Sequence, residues 1–389
     1  MKCHRSKRMR RLFLTSLSLL ALAALPAQAA LDTNAEHALL MDAATGQVLW
    51  QKEGMTPMPP ASMSKLMTLE LLFQRLKDGR LKLTDTLPVS ERAWRTQGSK
   101  MFVELNSRIP VEALIRGIII DSGNDACVVV AEGLGGTVEG FADMMNKRAK
   151  EIGLAQSHFV NPDGLPDPPG QMMSAMDLAK LARHLIRDYA DYYHYFSEKE
   201  FTWHNITQPN RDLVLGSLPG ADGLKTGHID ASGYGITISA KRGDVRFILV
   251  LNGLRYPQYN NDYFPNIKRA EEAGRLMDLA FREFRPFTIA AAGKVVGQAA
   301  VKEGKAPSVA VTPKNAVVAT MQLESQNKLK AEVKTDPNLT APVAQGQRVG
   351  TMTVTAPDFP SMTVPVYAAE PVERANIFVR LWNRYFGKH

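Results

Sequence analysis

Ser62 and Lys65 are the residues of this sequence best suited to covalent chemistry, and they lie three positions apart in the run Pro60-Ala61-Ser62-Met63-Ser64-Lys65. Apolar residues recur with helical spacing from this run to Asp78-Gly79, so the hydroxyl and the amine should share one helical face. A serine becomes nucleophilic when a neighbour accepts its proton, and a lysine can do so when burial or another cation lowers its pKa. The spacing predicts nucleophilic catalysis at Ser62, with backbone N–H groups at the helix start available to an oxyanion.

Two further motifs supply polar groups that acyl transfer can use. Ser122-Gly123-Asn124 follows an apolar helix and offers a hydroxyl for proton relay and an amide for orienting a peptide. By itself this motif is typical of a turn with a helix cap. In Lys225-Thr226-Gly227, the lysine would add a second cation that lowers the Lys65 pKa and attracts a substrate carboxylate. Gly227 has no side chain to obstruct a substrate backbone.

A single motif is weak evidence in this chain, because Ser325 and Lys328 also match Ser-x-x-Lys and enclose a Ser-x-Asn. We interpret this second match as accidental, since it follows no Pro-Ala pair and starts no apolar helix. Cys127 lies in an apolar run and is interpreted as a buried small side chain rather than a catalytic thiol.

Residues 1–29 have the pattern of a secretory signal peptide. Six basic residues without an acid precede the apolar run Leu12 to Leu25, and Ala27-Gln28-Ala29 fits the cleavage pattern. The alternative is a retained membrane anchor, for which the apolar run is short. Loss of the six bases lowers the formal net charge from +8 to +2, which removes the main support for nucleic-acid binding. Cys127 would be the one remaining cysteine, so no disulfide could form within the mature chain.

The patterns of residues 30–285 predict a sheet flanked by helices. A β-hairpin is expected around Ala44-Thr45-Gly46 and an antiparallel strand pair around Arg242-Gly243-Asp244. Helical spacing further predicts the helices Val111 to Ile120, Val138 to Ile152, Met176 to Arg187 and Lys268 to Phe284. Residues 286–370 consist of short strand-like runs punctuated by Pro, Gly and Asn, which predicts a small all-β domain.

Residues 371–389 are predicted to form an amphipathic helix. One face carries the large apolar side chains Phe378, Leu381, Trp382, Tyr385 and Phe386, and basic residues occupy much of the remainder. Such a helix is suited to lying on an anionic membrane surface. The alternative is a helix that docks on its own β domain.

The order Ser-x-x-Lys, Ser-x-Asn, Lys-Thr-Gly, with 60 and then 103 residues between the leading positions, is far more specific than any one motif. It resembles the penicillin-recognising serine enzymes, and most closely the type-5 low-molecular-mass penicillin-binding proteins, which are serine-type D-Ala-D-Ala carboxypeptidases. The stretches that carry the resemblance are Pro60 to Thr68, Leu114 to Gly117, Ser122 to Cys127, His158 to Leu165 and Asp222 to His228. The resemblance implies an α+β fold, with an antiparallel sheet flanked by helices in the catalytic domain, then the small β domain and the C-terminal helix.

Carried over by position, the resemblance implies a catalytic role for two Ser-Lys pairs. Ser62 would be the acylated nucleophile and Lys65 its general base. Ser122 and Lys225 would relay protons to the leaving D-alanine.

The resemblance also implies substrate-binding residues, which are Asn124, Thr226, Gly227, His228 and Arg255. Asn124 would hold the acyl-side peptide, and the backbone N–H groups of Ser62 and His228 would form the oxyanion hole. Thr226 and Arg255 would receive the terminal carboxylate, the alternative for Arg255 being a surface location at a strand end. Residues Arg95 to Val103 should form a loop that edges the site.

The implied function is removal of the terminal D-alanine from peptidoglycan stem peptides by an exported enzyme at the periplasmic face of the inner membrane. We expect acylation by β-lactam antibiotics, no metal or other cofactor, and no nucleic-acid partner. Family departures at Ile229 and at Ser232-Gly233-Tyr234-Gly235 lie beside the expected carboxylate pocket and could alter substrate preference.

Two alternatives remain at this point. A class A β-lactamase shares the first steps but uses a glutamate to activate the deacylating water, and the corresponding stretch Phe159 to Gln171 contains Asp163 and Asp167 without a glutamate. A non-catalytic wall-binding module would be expected to have lost a motif residue, and all are present.

Overall fold

The computed structural model describes residues 31–357, 359–378 and 380. The predicted signal peptide, residues 1–29, lies outside these residues, and so does most of the predicted C-terminal helix. The elements of the first domain are β1 (His37–Asp42), β2 (Val48–Lys52), α1 (Lys65–Lys77), β3 (Thr86–Pro88), α2 (Glu91–Arg95), β4 (Arg108–Pro110), α3 (Val111–Ile119), α4 (Asn124–Gly135), α5 (Val138–Glu151), α6 (Ala175–Asp188), α7 (Ala190–Tyr193), β5 (Glu200–Trp203), β6 (Ile206–Pro209), β7 (Ala221–Ile229), β8 (Gly233–Arg242), β9 (Val245–Leu254) and α8 (Tyr263–Glu283). Short 3-10 turns occupy Ala61–Ser64, His194–Ser197 and Leu213–Gly216.

An antiparallel sheet in the order β2-β1-β9-β8-β7 forms the centre of this domain. Side chains alternate between the two faces of a strand, so Leu39 and Met41 of β1 belong to the core that contains residues of helices α1 to α6, while Leu40 belongs to the core on the α8 side. The β9 residues divide in the same way, with Val250 on the first face and Leu249 on the second. Both faces are therefore apolar, as expected for a sheet covered on each side.

Helix α1 is buried on nearly all sides, so its charged residues Lys65 and Glu70 are buried together with its apolar residues. Glu70 Oε1 accepts hydrogen bonds from Arg148 Nε at 2.8 Å and from the Tyr189 hydroxyl at 2.9 Å. A buried carboxylate requires such partners. The packing of α1 fixes its N-terminal end, where Lys65 begins the helix and Ser62 lies in the preceding 3-10 turn.

The second domain consists of β10 (Phe284–Ala290), β11 (Gly297–Ala300), β12 (Ser308–Thr312), β13 (Val317–Gln322), β14 (Lys330–Thr335), β15 (Arg348–Ala356) and β16 (Phe359–Ala368), with a 3-10 turn at Leu323–Lys328. Strands β10 and β13 pair, and the remaining strands form a sheet in the order β11-β12-β16-β15-β14 around a core of valine, alanine and methionine side chains. The α+β fold followed by a small all-β domain is confirmed.

The two domains are joined by polar contacts between the β1–β2 hairpin and β13. Thr320 Oγ1 donates to Asp42 Oδ2 at 2.6 Å, and its backbone exchanges two hydrogen bonds with the side chain of Gln47, at 2.7 and 3.1 Å. At the far end of the chain, Ile377 and Phe378 are helical, and their side chains are 57% and 80% exposed. Within the described residues, no helix has both the length and the apolar character needed to cross a membrane.

Candidate active site

The residues of the three motifs meet in a cavity of about 520 Å³ at the edge of the central sheet. Its lining includes the motif residues Ser62, Ser122, Thr226, Gly227 and His228. Strand β7 supplies the last three, the 3-10 turn before α1 supplies Ser62, and the turn between α3 and α4 supplies Ser122. Two of these turns contain backbone in the left-handed region, at Ala61 with φ 50° and at Ser122 with φ 57°. Such strained residues persist only where the surrounding packing holds them.

Lys65 has the environment of a proton acceptor. Its Nζ lies 2.8 Å from Ser62 Oγ, 2.7 Å from Asn124 Oδ1 and 2.5 Å from the backbone oxygen of Asp163. The side chain is fully buried, and burial is the main cause of the lowering of the Lys65 pKa from its ordinary value. A neutral amine has two N–H donors and one lone pair. The two carbonyl-type oxygens can take the donors, which leaves the lone pair for the Ser62 hydroxyl.

Lys225 forms a second Ser-Lys pair on the other side of the cavity. Its Nζ donates to Ser122 Oγ at 2.9 Å and to the backbone oxygen of Thr226 at 3.2 Å. Burial, and next the positive charge of Lys65, lower the Lys225 pKa well below its ordinary value. The charge that lowers the Lys65 pKa, after burial, is that of Arg211.

Asn124 is held from two sides. Its Oδ1 receives the contact from Lys65, and its Nδ2 donates to the backbone oxygen of Gln97 at 2.7 Å. An amide nitrogen has two N–H groups, so one donor remains for a substrate carbonyl.

The loop that carries Gln97 is fixed by the carboxylate of Asp125, a residue that we had not singled out from the sequence. Oδ1 accepts from the backbone N–H groups of Met101 and Ala126, both at 2.9 Å, and Oδ2 from those of Phe102 at 2.9 Å and Val103 at 3.1 Å. The sequence signal that could have identified Asp125 was its position directly after the Ser-Gly-Asn motif.

Family comparisons agree over both domains. Residues 24–254 match the Peptidase S11 family, described as D-alanyl-D-alanine carboxypeptidase, and residues 284–374 match the C-terminal domain of penicillin-binding protein 5. D-alanyl-D-alanine carboxypeptidase DacF of Bacillus subtilis is 33% identical over 363 residues, which are 91% of this chain and 89% of the relative. This chain belongs to the D-alanyl-D-alanine carboxypeptidase family.

Solved structures agree with this family membership, so the resemblance read from the three motifs is confirmed. Penicillin-binding protein 5 from Haemophilus influenzae matches with a TM-score of 0.77 at 33% identity, over 88% of this chain and 98% of that chain. Penicillin-binding protein D2 from Listeria monocytogenes, in its ampicillin-bound form, matches with a TM-score of 0.56 at 26% identity, over 64% of this chain and 97% of that chain.

Arg255 directly follows β9 and lines a cleft beside the active-site cavity, together with His228 and Tyr234. Its Nε donates to Glu36 Oε1 at 2.8 Å, and its terminal nitrogens donate to the backbone oxygens of Asp230 at 3.2 Å and Ala231 at 3.1 Å. The side chain is 49% exposed and does not line the cavity that contains Ser62. The guanidinium is thus engaged at the strand end, and a contact between Arg255 and a substrate carboxylate stays a prediction.

Gly227 is also required by packing, in addition to the room for a substrate backbone that the sequence led us to expect. A Cβ at this position would lie 2.9 Å from the backbone oxygen of Pro60 and 3.2 Å from the Ala61 Cβ. The missing side chain thus lets β7 lie against the turn that carries Ser62. Gly164 does the same from the other side, since its Cβ would lie 2.0 Å from the Ala61 oxygen.

Two arginines of the cavity were missed by the sequence analysis, whereas Tyr234 belongs to the stretch that was expected beside the carboxylate pocket. Arg211, Arg269 and Tyr234 all line the cavity. The Tyr234 ring stacks on the His228 ring with 3.8 Å between centroids, and burial is the main reason that the His228 pKa is lowered. Neither arginine belongs to one of the three motifs, so local pattern gave no signal for them. Within the described residues, no group of three or more potential metal ligands occurs.

Proposed function

We propose that this chain is a serine D-Ala-D-Ala carboxypeptidase that removes the terminal D-alanine from peptidoglycan pentapeptides through an acyl-enzyme on Ser62, and so acts in cell-wall maturation. The observation that carries the proposal is the pair of buried lysines, each 2.8–2.9 Å from a serine hydroxyl in one cavity. Two such pairs can serve the two proton transfers of acyl transfer, one at the nucleophile and one at the leaving group.

In the first step, Ser62 Oγ attacks the carbonyl carbon of the penultimate D-alanine while Lys65 Nζ takes the hydroxyl proton. The backbone N–H groups of Ser62 and His228 receive the developing oxyanion, and the second N–H of Asn124 orients the acyl-side peptide. Thr226, which lines the cavity, contacts the terminal carboxylate.

Collapse of the tetrahedral intermediate breaks the peptide bond. The leaving D-alanine nitrogen takes a proton from the Ser122 hydroxyl, which Lys225 resupplies across 2.9 Å. Water then attacks the Ser62 ester and gives a proton through Ser122 to Lys225, which restores the proton that Lys225 supplied. As the ester bond breaks, Lys65 returns to Ser62 Oγ the proton that it took in the first step. The products are the tetrapeptide acid and the restored serine.

We also propose that penicillin acylates Ser62 and is released slowly, in contrast to a β-lactamase. The carboxyl of Asp163 is buried and accepts from the backbone N–H of Leu165, and no glutamate lies between residues 159 and 171. Asp163 does not line the cavity that contains Ser62, so its carboxyl is not placed to activate a water there.

Mass spectrometry after incubation with benzylpenicillin tests this reading. We expect one penicilloyl adduct on the tryptic peptide that contains Ser62, persisting over many minutes. Fast turnover of a chromogenic cephalosporin would support the β-lactamase alternative. An acylated protein that never releases D-alanine would support the wall-binding alternative.

We further propose that the enzyme is exported, that it acts at the periplasmic face of the inner membrane, and that residues 371–389 lie on the anionic membrane surface. The exposed Ile377 and Phe378 support this proposal at the start of the segment. A protein truncated after Glu370 should lose sedimentation with vesicles containing anionic lipid. If it sedimented as fully as the intact mature protein, the anchor would lie elsewhere.

A further inference from the structure

A second cleft, here called the side cleft, opens beside the active-site cavity. It has a volume of about 600 Å³ and shares His228, Tyr234 and Asp262 with the lining of the cavity that contains Ser62. The rest of its lining comes from the turn between β7 and β8, from the end of β9, and from the loop between β9 and α8, residues 255–262. None of the proposed chemical steps uses the side cleft, yet it is continuous with the cavity in which those steps take place.

Aromatic rings are concentrated in this loop and at the start of α8. Tyr259 lines the side cleft, and its ring stacks on that of Phe264, with 5.3 Å between centroids and 21° between planes. Tyr263 lines the active-site cavity and meets Phe264 edge to face at 5.2 Å. Phe264 and Tyr263 are 47% and 68% exposed. Exposed apolar side chains that cluster beside a cavity are typical of a binding surface.

Planar polar groups lie next to these rings. The side cleft is lined by the carboxylates of Asp230 and Asp262 and by the amides of Asn260 and Asn261, and all four side chains are exposed. Carboxylates accept hydrogen bonds from hydroxyl groups, and amides both donate and accept. The cleft also contains the guanidinium of Arg255, whose charge is already balanced in an ion pair. This lining disfavours an anionic ligand and suits an uncharged one that carries hydroxyl and amide groups.

The side cleft lies where the acyl part of a substrate is expected to lead. Thr226 is the proposed contact of the terminal carboxylate, and His228, two residues further along β7, is the proposed contact of the oxyanion. The acyl side of a substrate bound along this strand therefore points towards Asp230, which lines the side cleft. Four acyl-side residues span at most about 14 Å when extended, so a group attached to their far end can reach a cleft that borders the cavity.

We propose that the side cleft binds an N-acetylated sugar of the glycan to which the stem peptide is attached. A pyranose ring has a C–H face that packs on an aromatic ring such as that of Tyr259. Its hydroxyl and N-acetyl groups can hydrogen-bond to the carboxylates and amides of the lining. This inference rests on the proposed carboxypeptidase function, and it makes glycan-linked peptide a better substrate than free peptide.

The test compares D-alanine release from a disaccharide-linked pentapeptide with release from the same pentapeptide in free form. We expect the wild type to have the higher kcat/KM for the sugar-linked form. Tyr259→Ala should lower the ratio of the two kcat/KM values, sugar-linked to free, by about 3- to 10-fold, the range for losing one aromatic contact. Tyr259→Phe, which keeps the ring, should keep this ratio within about twofold of the wild-type value.

A control variant and a direct binding measurement accompany the kinetics. Tyr367→Ala is a matched control, because Tyr367 is a half-buried tyrosine of β16 in the second domain, and it should keep the wild-type ratio. Chitotetraose, an N-acetylglucosamine tetramer without peptide, should give saturation-transfer NMR signals with the wild type and with Tyr367→Ala. These signals should be weaker with Tyr259→Ala.

The remaining outcomes also decide the question. Equal losses for both substrates in a folded Tyr259→Ala protein would show a structural role of the loop and overturn the proposal. If that variant does not fold, Phe264→Ala decides by the same ratio, since a fall of about threefold or more supports the proposal and an unchanged ratio overturns it. A preference for cross-linked peptide without sugar that disappears in Tyr259→Ala would show a peptide site and also overturn it.

The inference and the proposed function fail separately. A wild type that releases D-alanine from both substrates with equal kcat/KM defeats only the sugar site. A wild type that binds chitotetraose through Tyr259 but releases no D-alanine from either substrate defeats only the proposed function.

Discussion

Replacing Asp125 with asparagine should destabilise the protein and loosen the loop that edges the active site. The carboxylate holds four backbone N–H groups, two on each oxygen. An asparagine side chain keeps one oxygen and presents an NH₂ group in place of the other. In either orientation of the amide, two backbone donors then face another donor, so two hydrogen bonds are lost.

The magnitude follows from the charge of the acceptor. A hydrogen bond to a charged group contributes about 1.5–3 kcal/mol, so two lost bonds cost about 3–6 kcal/mol in the free energy of unfolding. For a domain of this size, the lower figure corresponds to a fall in Tm of about 6–12 °C. The loop also carries Gln97, whose oxygen holds Asn124. We therefore expect kcat/KM to fall by about 10-fold or more at a temperature where the variant remains folded.

Thermal unfolding followed by circular dichroism measures the first effect, and D-alanine release measures the second. Asp143→Asn is a matched control, because Asp143 is exposed on α5 and its replacement should shift Tm by about 1 °C or less. If Asp125→Asn lowered Tm by less than about 2 °C, the carboxylate would not be holding the loop as inferred.

Three further predictions follow from the buried groups. Burial lowers the Lys65 pKa, and the neutral amine is the base, so the rate of acylation by penicillin should rise with pH to a plateau. The midpoint of this rise should lie below the ordinary lysine value of 10.5. An acylation rate that fell as the pH rose over this range would refute the assignment of Lys65 as the base. Gly164→Ala should lower the free energy of unfolding by at least about 2 kcal/mol more than Gly153→Ala, as measured by denaturant unfolding. Both glycines have φ near +80°, but of the two only a Cβ at Gly164 would meet backbone, at 2.0 Å. Equal losses of stability in the two variants would contradict this packing. Burial raises the Cys127 pKa to about 12, so iodoacetamide should label the mature protein at neutral pH only after denaturation, and rapid native labelling would show that the thiol is accessible.

Much of the fold could be predicted because its elements have clear local periodicity. The strand pair β8–β9 around Gly243 and helices α3, α5 and α6 begin and end within a few residues of their predicted bounds. Helix α4 was not predicted as an element, because its apolar run from Cys127 to Ala131 is buried on all sides and shows no amphipathic period. The 3-10 turn at Ser62 was also missed, since a 3-10 turn and the first turn of an α-helix share the i, i+3 spacing.

The site residues that form contiguous motifs could be predicted from the sequence. The residues whose positions depend on tertiary contacts could not. The residues around Ser62, Ser122 and Lys225 were chosen together because their order resembles a known family, and the structure brings them into one cavity. The direction in which the Arg255 side chain points depends on its hydrogen bond to Glu36, a residue far away in the sequence. Arg269 belongs to a helix whose pattern records only its amphipathic packing, so its place in the cavity could not be read from spacing.

D-alanine release from a pentapeptide ending in D-Ala-D-Ala tests the central claim most directly. The comparison needs the wild type, Ser62→Ala, and Ser325→Ala as a control for the accidental Ser-x-x-Lys match in the second domain. We predict release by the wild type and by Ser325→Ala, and none above background by Ser62→Ala. Release by Ser62→Ala at the wild-type rate would contradict the assignment of the nucleophile, and no release by a wild type that penicillin acylates would contradict the carboxypeptidase function.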